Sequence, residues 1–246
     1  MANKVIKGTA KADKITLKES NIDIYASTGN DSITLSKGNK NNIRGEAGND
    51  TMVIASGAGT GNKLYGNVGV DTINIQGGSS NTVYGGGDGD KITLSGGNKN
   101  IIHGEWGNET IVITSGIGTG NEIYGDDGVD TIKIQGGNSN SVYGGADGDK
   151  ITVSGGSKNK IYGGEGNDIL TVSSTAGNGN KLYGDAGNDK LYGNANNDYL
   201  NGGSGNDELY GNAGDDEFHG GSGDDRLYGG TGSDVFWYDS GNDTMG

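Results

Sequence analysis

Gly202-Gly203-Ser204-Gly205-Asn206-Asp207-Glu208-Leu209-Tyr210 is the stretch from which the rest of this chain can be read. Two glycines open it, a third stands at the fourth place, an Asp closes the loop at the sixth, and an apolar residue follows at the eighth. Stepping outward from Asp207 by nine residues, an acid recurs at Asp189, Asp198, Asp216, Asp225, Asp234 and Asp243. Glycine turns a backbone into left-handed conformations at no steric cost. A loop of such residues can offer several carbonyl oxygens, and the Asp at its end adds a carboxylate. A calcium ion takes six to eight oxygens in flexible geometry. One such loop is a weak signal, but seven in unbroken register point to a stack of coils with calcium loops at the bends.

The same acid can be followed backwards at wider spacing. It stands at Asp31, Asp50, Asp71, Asp90, Glu109, Asp130, Asp149, Asp168 and Asp189, with steps of 19, 21, 19, 19, 21, 19, 19 and 21 residues. Three coils thus make a super-repeat of 59 residues, visible when Asp71-Thr72-Ile73-Asn74-Ile75-Gln76 is set beside Asp130-Thr131-Ile132-Lys133-Ile134-Gln135. We call this side A. A second column, side B, runs between these acids. It holds Asn41, Asn62, Asn81, Asn100, Asn121, Asn140, Asn159 and Asn180, and then Asp198, Asp216 and Asp234.

Each A-side acid is followed by an alternating segment such as Lys91-Ile92-Thr93-Leu94, and each B-side residue by one such as Lys63-Leu64-Tyr65-Gly66. Alternation over four residues is the mark of a short half-buried strand. The expected fold is therefore all-β: a right-handed parallel β-roll, or β-solenoid, of about 13 coils around a thin Ile/Leu/Val core, in which each coil depends on its neighbours. Residues 1–183 are expected to form a roll with Asp turns on one side and Asn turns on the other. Residues 184–246 are expected to carry Asp turns on both sides and the start of a cap at Gly232-Ser233-Asp234-Val235-Phe236-Trp237-Tyr238, the whole being one continuous solenoid.

Composition supports a metal-assisted fold. The chain of 246 residues has 53 Gly, no Pro, no Cys and a net charge of −14. So few large apolar residues do not offset the entropy of ordering without outside help. The acidity argues against nucleic acid and anionic membranes as partners. No apolar run reaches transmembrane length, so no membrane insertion is expected. The start, Met1-Ala2-Asn3-Lys4-Val5-Ile6-Lys7-Gly8, lacks a hydrophobic core segment, so no conventional cleaved signal peptide is expected.

These loops resemble the RTX (repeats-in-toxin, haemolysin-type) calcium-binding repeats of bacterial proteins exported by type I secretion. Residues 184–243 match that nonapeptide closely, and residues 9–183 match it on side A. The resemblance implies ions between successive turns, held by the sixth-position carboxylates and by loop carbonyls. The implied metal residues are Asp31, Asp50, Asp71, Asp90, Glu109, Asp130, Asp149, Asp168, Asp189, Asp198, Asp207, Asp216, Asp225, Asp234 and Asp243. For the pair Asp71 and Asp90 the carbonyls lie around Gly66, Val68, Gly85 and Gly87. About 10–13 Ca2+ follow from this ligand logic. It also implies a secreted or bacterial cell-surface module that folds on calcium and stabilises a larger exported protein, with neighbouring domains in a longer chain.

Several departures carry expectations of their own. Asn offers no charge, so the Asn turns are expected to form an amide ladder without calcium. Glu109 is longer than Asp and is expected to distort its two neighbouring sites, and Asp13 belongs to a poorly formed terminal turn. The outward column Tyr65, Tyr84, Tyr124, Tyr143, Tyr162 and Tyr183, interrupted by Arg44 and His103, reads first as a stacking ladder. The alternative is an adhesin or polysaccharide-binding accessory module that holds a glycan or protein on this Tyr face. Outward Thr rows are broken by Lys14, Lys91, Lys133, Lys150, Val53 and Val112, which disfavours an ice-binding array. His103 and His219 lie far apart, and no nucleophile constellation is present, so no enzyme activity is expected.

Overall fold

The computed structural model describes residues 3–114, 118–237 and 239–246. Tyr238 of the expected cap lies outside the described residues. Every regular element is a strand, twenty-six in number among the described residues. No helix among them is long and apolar enough to cross a membrane. The chain divides into two compact units, Met1–Asp127 and Gly128–Gly246.

In the first unit, strands alternate between two parallel sheets. In chain order they are β1 (Lys4–Lys7), β2 (Lys14–Leu17), β3 (Ile22–Tyr25), β4 (Ser32–Leu35), β5 (Asn42–Ala47), β6 (Thr51–Ile54), β7 (Lys63–Val68), β8 (Thr72–Ile75), β9 (Thr82–Gly87), β10 (Lys91–Leu94), β11 (Ile101–Trp106), β12 (Thr110–Ile113) and β13 (Glu122–Asp127). Odd strands pair in the order β1-β3-β5-β7-β9-β11-β13, and even strands in the order β2-β4-β6-β8-β10-β12. The second unit repeats the plan with β14 (Thr131–Ile134), β15 (Ser141–Ala146), β16 (Lys150–Val153), β17 (Lys160–Glu165), β18 (Ile169–Val172), β19 (Lys181–Ala186), β20 (Lys190–Tyr192), β21 (Tyr199–Ser204), β22 (Glu208–Ala213), β23 (Glu217–Ser222), β24 (Arg226–Thr231), β25 (Val235–Trp237) and β26 (Thr244–Met245). Each unit is a parallel β-solenoid.

Register follows the apolar column. Ile43 pairs with Leu64 and Leu64 with Val83, while Met52 pairs with Ile73 and Ile73 with Ile92. All six are fully buried. A slip of one residue would turn this row to solvent, which is why the register is strict. A long coil buries three large apolar side chains, for example Leu64, Ile73 and Ile75. A short coil of the C-terminal third buries two, for example Leu200 and Leu209. So thin a core ties each coil to its neighbours, as the composition implied.

The odd strands run further than the four-residue alternation predicts. β7 continues through Gly66 and Asn67 to Val68. Pairing skips the first loop glycine: Arg44 pairs with Tyr65, then Glu46 with Asn67 and Ala47 with Val68. Asn67 (φ +74°) and Gly69 (φ +122°) take left-handed conformations at the second and fourth loop places. Two reversals within four residues keep the chain extended, yet rotate the peptide planes at the first glycine out of the ladder. The carbonyl released there lines the site described next.

Candidate metal centres

Side A is built by the loop acids themselves. The Oδ1 of each Asp accepts the backbone N–H of the Asp one coil earlier. In the first unit the bonds run from Asp13 to Asp31, Asp31 to Asp50, Asp50 to Asp71 and Asp71 to Asp90, each at 2.7 Å. In the second they run from Asp130 to Asp149 (2.7 Å), Asp149 to Asp168 (2.6 Å), Asp168 to Asp189, Asp189 to Asp207 and Asp207 to Asp225 (each 2.8 Å), and Asp225 to Asp243 (3.1 Å). The same bond orders the B-side acids, Asp198 to Asp216 at 2.8 Å and Asp216 to Asp234 at 3.0 Å. An outer ladder of fifth-place residues runs the other way: Asn30 Oδ1 accepts the Asn49 N–H at 2.9 Å, and Asn167 Oδ1 that of Asn188 at 2.7 Å.

The second carboxylate oxygen is the informative one. Asp31, Asp50, Asp71, Asp90, Asp149, Asp168, Asp189, Asp207, Asp216 and Asp225 each bury an Oδ2 that has no hydrogen-bond partner. A buried, unpaired carboxylate oxygen is costly. It is directed at the first loop glycine. A Cβ on Gly66 would collide with Asp71 Oδ2 and with the carbonyl oxygen of Gly85, and one on Gly85 would meet Asp90 Oδ2 and the Gly104 carbonyl. The motif recurs at Gly144, Gly163, Gly184 and Gly202. Each cradle therefore joins an orphaned carboxylate oxygen to a carbonyl of the next coil.

Burial acts on the protonation of these acids. It raises Asp71 and Asp90 to about 7 and Asp149 to about 8. Asp189 and Asp207 rise to about 7, and Asp50, Asp168 and Asp216 to about 6, in each case chiefly by desolvation. Neighbouring carboxylates push several of them further, Asp71 through Asp90, Asp50 and Asp88. A cation in the cradle would reverse that penalty. Among the described residues no three His, Cys, Asp or Glu side chains converge on one point. The donors present are carboxylate oxygens supplemented by backbone carbonyls, which is the ligand chemistry of a hard cation such as Ca2+.

The residues named from sequence are distributed as follows. Gly66 and Gly85 line one cradle with Asp71. Asp90 sits in the same column, with its Oδ1 taken by the Asp71 N–H. The Val68 carbonyl accepts the Gly48 N–H at 2.9 Å, and Gly87 pairs with Val68 in the strand ladder. Glu109 and Asp130 are buried at their places in the column. The extra methylene carries the Glu109 carboxylate towards two glycines at once, since Cβ atoms on Gly104 and Gly107 would meet Oε2 at 2.8 Å and Oε1 at 2.7 Å. Asp198 opens the B-side Asp column, and its Oδ2 accepts the Asn194 N–H at 2.6 Å. Asp13 does the same with the Thr9 N–H at 2.6 Å. Asp234 and Asp243 are half-buried near the end of the second unit.

Side B of the long coils is chemically complete. Asn81 Oδ1 accepts the Asn62 N–H at 3.0 Å and the Asn62 Nδ2 at 3.1 Å, and Asn100 Oδ1 accepts both from Asn81. The amide supplies donor and acceptor alike, so the ladder closes without an ion. One signal for this difference stands in the sequence itself. Four residues after a side-A acid stands a buried apolar residue where an Asn turn follows: Leu35, Ile54, Ile75, Leu94, Ile113, Ile134, Val153 or Val172. Where an Asp turn follows, the residue is Gly193, Gly211 or Gly229. A Cβ on Gly193 would meet Asp198 Oδ2 and the Gly211 carbonyl. The cradle needs glycine, and in the Asn-turn coils a buried apolar side chain stands at that place instead.

The family model for the RTX calcium-binding nonapeptide repeat matches four stretches, residues 23–52, 143–174, 175–209 and 210–245, more than half of the chain. The chain belongs to the RTX repeat family. It binds calcium as a structural β-solenoid. Among solved structures it is similar to a hyperactive, Ca2+-dependent, β-helical antifreeze protein from an Antarctic bacterium, with TM-score 0.58 and 21% identity over 92% of this chain and 78% of that one. At that identity the likeness concerns the fold. No curated protein sequence matches the chain.

The outward aromatic column of this RTX chain is a stack. Arg44 lies between Tyr25 and Tyr65, 4.9 and 5.0 Å from their ring centres. Tyr65, Tyr84, His103 and Tyr124 follow with centroids 4.9, 5.3 and 4.6 Å apart and planes within 7°. Tyr143, Tyr162 and Tyr183 stack at 4.8 Å in the second unit. Tyr192, Tyr210 and Tyr228 form a further stack on its other sheet. Rings stacked in this way spend their faces on one another and turn edges to solvent.

Proposed function

We propose that this chain is a calcium-responsive folding module of an exported protein. One observation carries the reading: buried, partnerless Asp oxygens repeat coil after coil beside loop carbonyls. Without cations this arrangement opposes the compact state. At low cytoplasmic calcium the C-terminal coils stay open and extensible. At the millimolar calcium found outside cells the cradles fill and the coils close, so that binding and folding are one equilibrium. Extracellular calcium modules bind with Kd of about 10⁻⁴–10⁻³ M, which suits that switch. The proposed ligands are the A-side acids, Asp198, Asp216 and Asp234, with the glycine-loop carbonyls, for about 10–13 ions. The closed solenoid would stabilise neighbouring domains of a longer, secreted or surface-bound chain exported by type I secretion. A glycan-binding role for the Tyr face finds less support, because stacked rings have no free face to offer a sugar.

The test is a calcium titration of the chelated full chain, followed by far-UV circular dichroism and calorimetry together. Cooperative gain of strand signal near millimolar calcium, with about 10–13 ions bound, is expected by this ligand count. A chain fully folded in chelator, or one that binds calcium with no structural change, would overturn the reading.

A further inference from the structure

We propose that the coil around Trp106 carries a second binding site, which takes the guanidinium or ammonium group of an Arg or Lys side chain on a partner protein. β11 and β13 set Trp106 beside Asp127 and Glu105 beside Asp126 in register. Together with His103 these residues line a shallow cavity of about 300 Å³. Trp106 is 69% exposed, more than any other large apolar residue described. The neighbouring rings of unit one are stacked face to face, whereas Trp106 lies outside that column and leaves most of its indole to solvent.

The super-repeat shows that the fold does not demand this constellation. Places 47, 106 and 165 hold Ala, Trp and Glu, and places 68, 127 and 186 hold Val, Asp and Ala. A coil closes equally well with small residues there, so Trp106 and Asp127 are additions to the architecture rather than parts of it. One super-repeat earlier, Arg44, Ala47, Asn67 and Val68 occupy the corresponding positions, and neither aromatic face nor paired acids result.

The chemistry selects a cation. Glu105, Asp126 and Asp127 line the same cavity as the indole, and His103 Nδ1 lies 3.1 Å from Asp126 Oδ2, which fixes that carboxylate. A neutral sugar would use the indole but would desolvate acids it cannot neutralise. No three of the acids and the imidazole converge as metal ligands would. A guanidinium or ammonium group can lie over an indole face and hydrogen-bond to a flanking carboxylate at the same time.

The experiment uses the full, calcium-saturated chain. The chain has two Trp, so Trp237→Phe leaves Trp106 as the only indole reporter. Titration with Nα-acetyl-arginine amide should quench its fluorescence saturably. Asp127→Ala, which copies the residue found at 186, should weaken binding about fivefold, as expected for loss of one exposed carboxylate partner to a cation. Trp106→Ala, which copies position 47, should abolish saturation transfer to the ligand in proton NMR while leaving the calcium-loaded dichroism unchanged. No saturable quenching, an unaltered Asp127→Ala response, or equal binding of methyl glucoside would overturn the proposal. Tighter binding of choline than of the arginine derivative would overturn the assignment to a protein side chain.

Discussion

Within the second unit, the coil from Asp149 to Asp168 and the coil from Asp207 to Asp225 solve the same bend in opposite ways. The first closes side B with Asn159 and buries Val153 four residues after its side-A acid, and the Asn159 amide donates 3.1 Å to Asn180 Oδ1. The second closes side B with Asp216, whose Oδ2 is buried without a partner, and places Gly211 where a Cβ would meet that oxygen. One bend is complete as soon as the chain folds, whereas the other awaits a cation. The lesson is that the loop acid alone does not make a site. Acid and glycine change together, and an Asn with an aliphatic partner is a metal-free version of the same turn.

Calcium removal should separate the two types most strongly. Hydrogen exchange of the full chain in chelator is expected to unprotect residues 184–243 completely, while amides beside the Asn ladder, such as Ile102 and Ile161, retain slowed exchange. Uniform loss across both regions would show that the Asn ladder has no stability of its own.

The next effect in size concerns the cradle. Gly66→Ala forces a Cβ against Asp71 Oδ2 and the Gly85 carbonyl. It is expected to remove one bound ion, counted by calorimetry, and to cost about 1–3 kcal/mol in the calcium-loaded form, in the range of overpacked interiors. A count that does not change would place the ion elsewhere in the loop.

Asn100→Asp tests the other half of the comparison. It removes the Nδ2 donor that reaches Asn121 Oδ1 at 3.3 Å and leaves a buried acid in a coil that carries Leu94 where the Asp-turn coils carry glycine. Destabilisation of about 1–3 kcal/mol, typical of an unsatisfied buried polar group, is expected with no gain in calcium stoichiometry. An added ion would break the rule that glycine is required.

Acid should blur the difference between the regions. In the calcium-free fold Asp71 and Asp90 are raised to about 7 and Asp149 to about 8, from 3.8. A raised folded pKa means that the folded state holds protons more firmly. The resulting stability is fully present below the unfolded value and is lost as pH rises through about 6–8, the values reached by these acids and by Asp50. Melting in chelator is therefore expected to be higher at pH 5 than at pH 8. With calcium the sign reverses, because protons compete with the ion. Smallest is Tyr84→Ser, which interrupts one stack and is expected to cost about 1 kcal/mol in thermal melts of either form.

Much of this was legible in the chain. The apolar rows Ile73-Ile92 and Leu64-Val83 appeared as two-residue alternation, and the acid and amide columns as spacing. The length of the odd strands was not legible, because left-handed places at Asn67 and Gly69 look like a turn while preserving strand direction. The orphaned Oδ2 was not legible either. Which oxygen bonds to the backbone depends on a side-chain torsion, and only coordinates separate Oδ1 from Oδ2. The pairing of Gly193 with Asp198 and of Val153 with Asn159 was present in the letters. It gained meaning once the Cβ and the carboxylate were seen to claim the same space.

The direction of the carboxylate ladder has a consequence for assembly. Each Asp reaches back to the coil before it, so a half-built stack ends differently at its two margins. The margin nearer the N-terminus presents sixth-place carboxylates ready to receive an incoming backbone, and the margin nearer the C-terminus presents bare Asp amides beside the acceptors of the outer, fifth-place ladder. A stack with unlike ends grows like a polar filament, and the better template is the end that supplies both the acceptor and the charge for the next ion. Coils closing from the C-terminal side would meet a finished sixth-place carboxylate at every step, whereas coils closing the other way would meet the outer acceptor and wait for that carboxylate. Folding of this solenoid therefore has a sense of travel written into its carboxylate ladder.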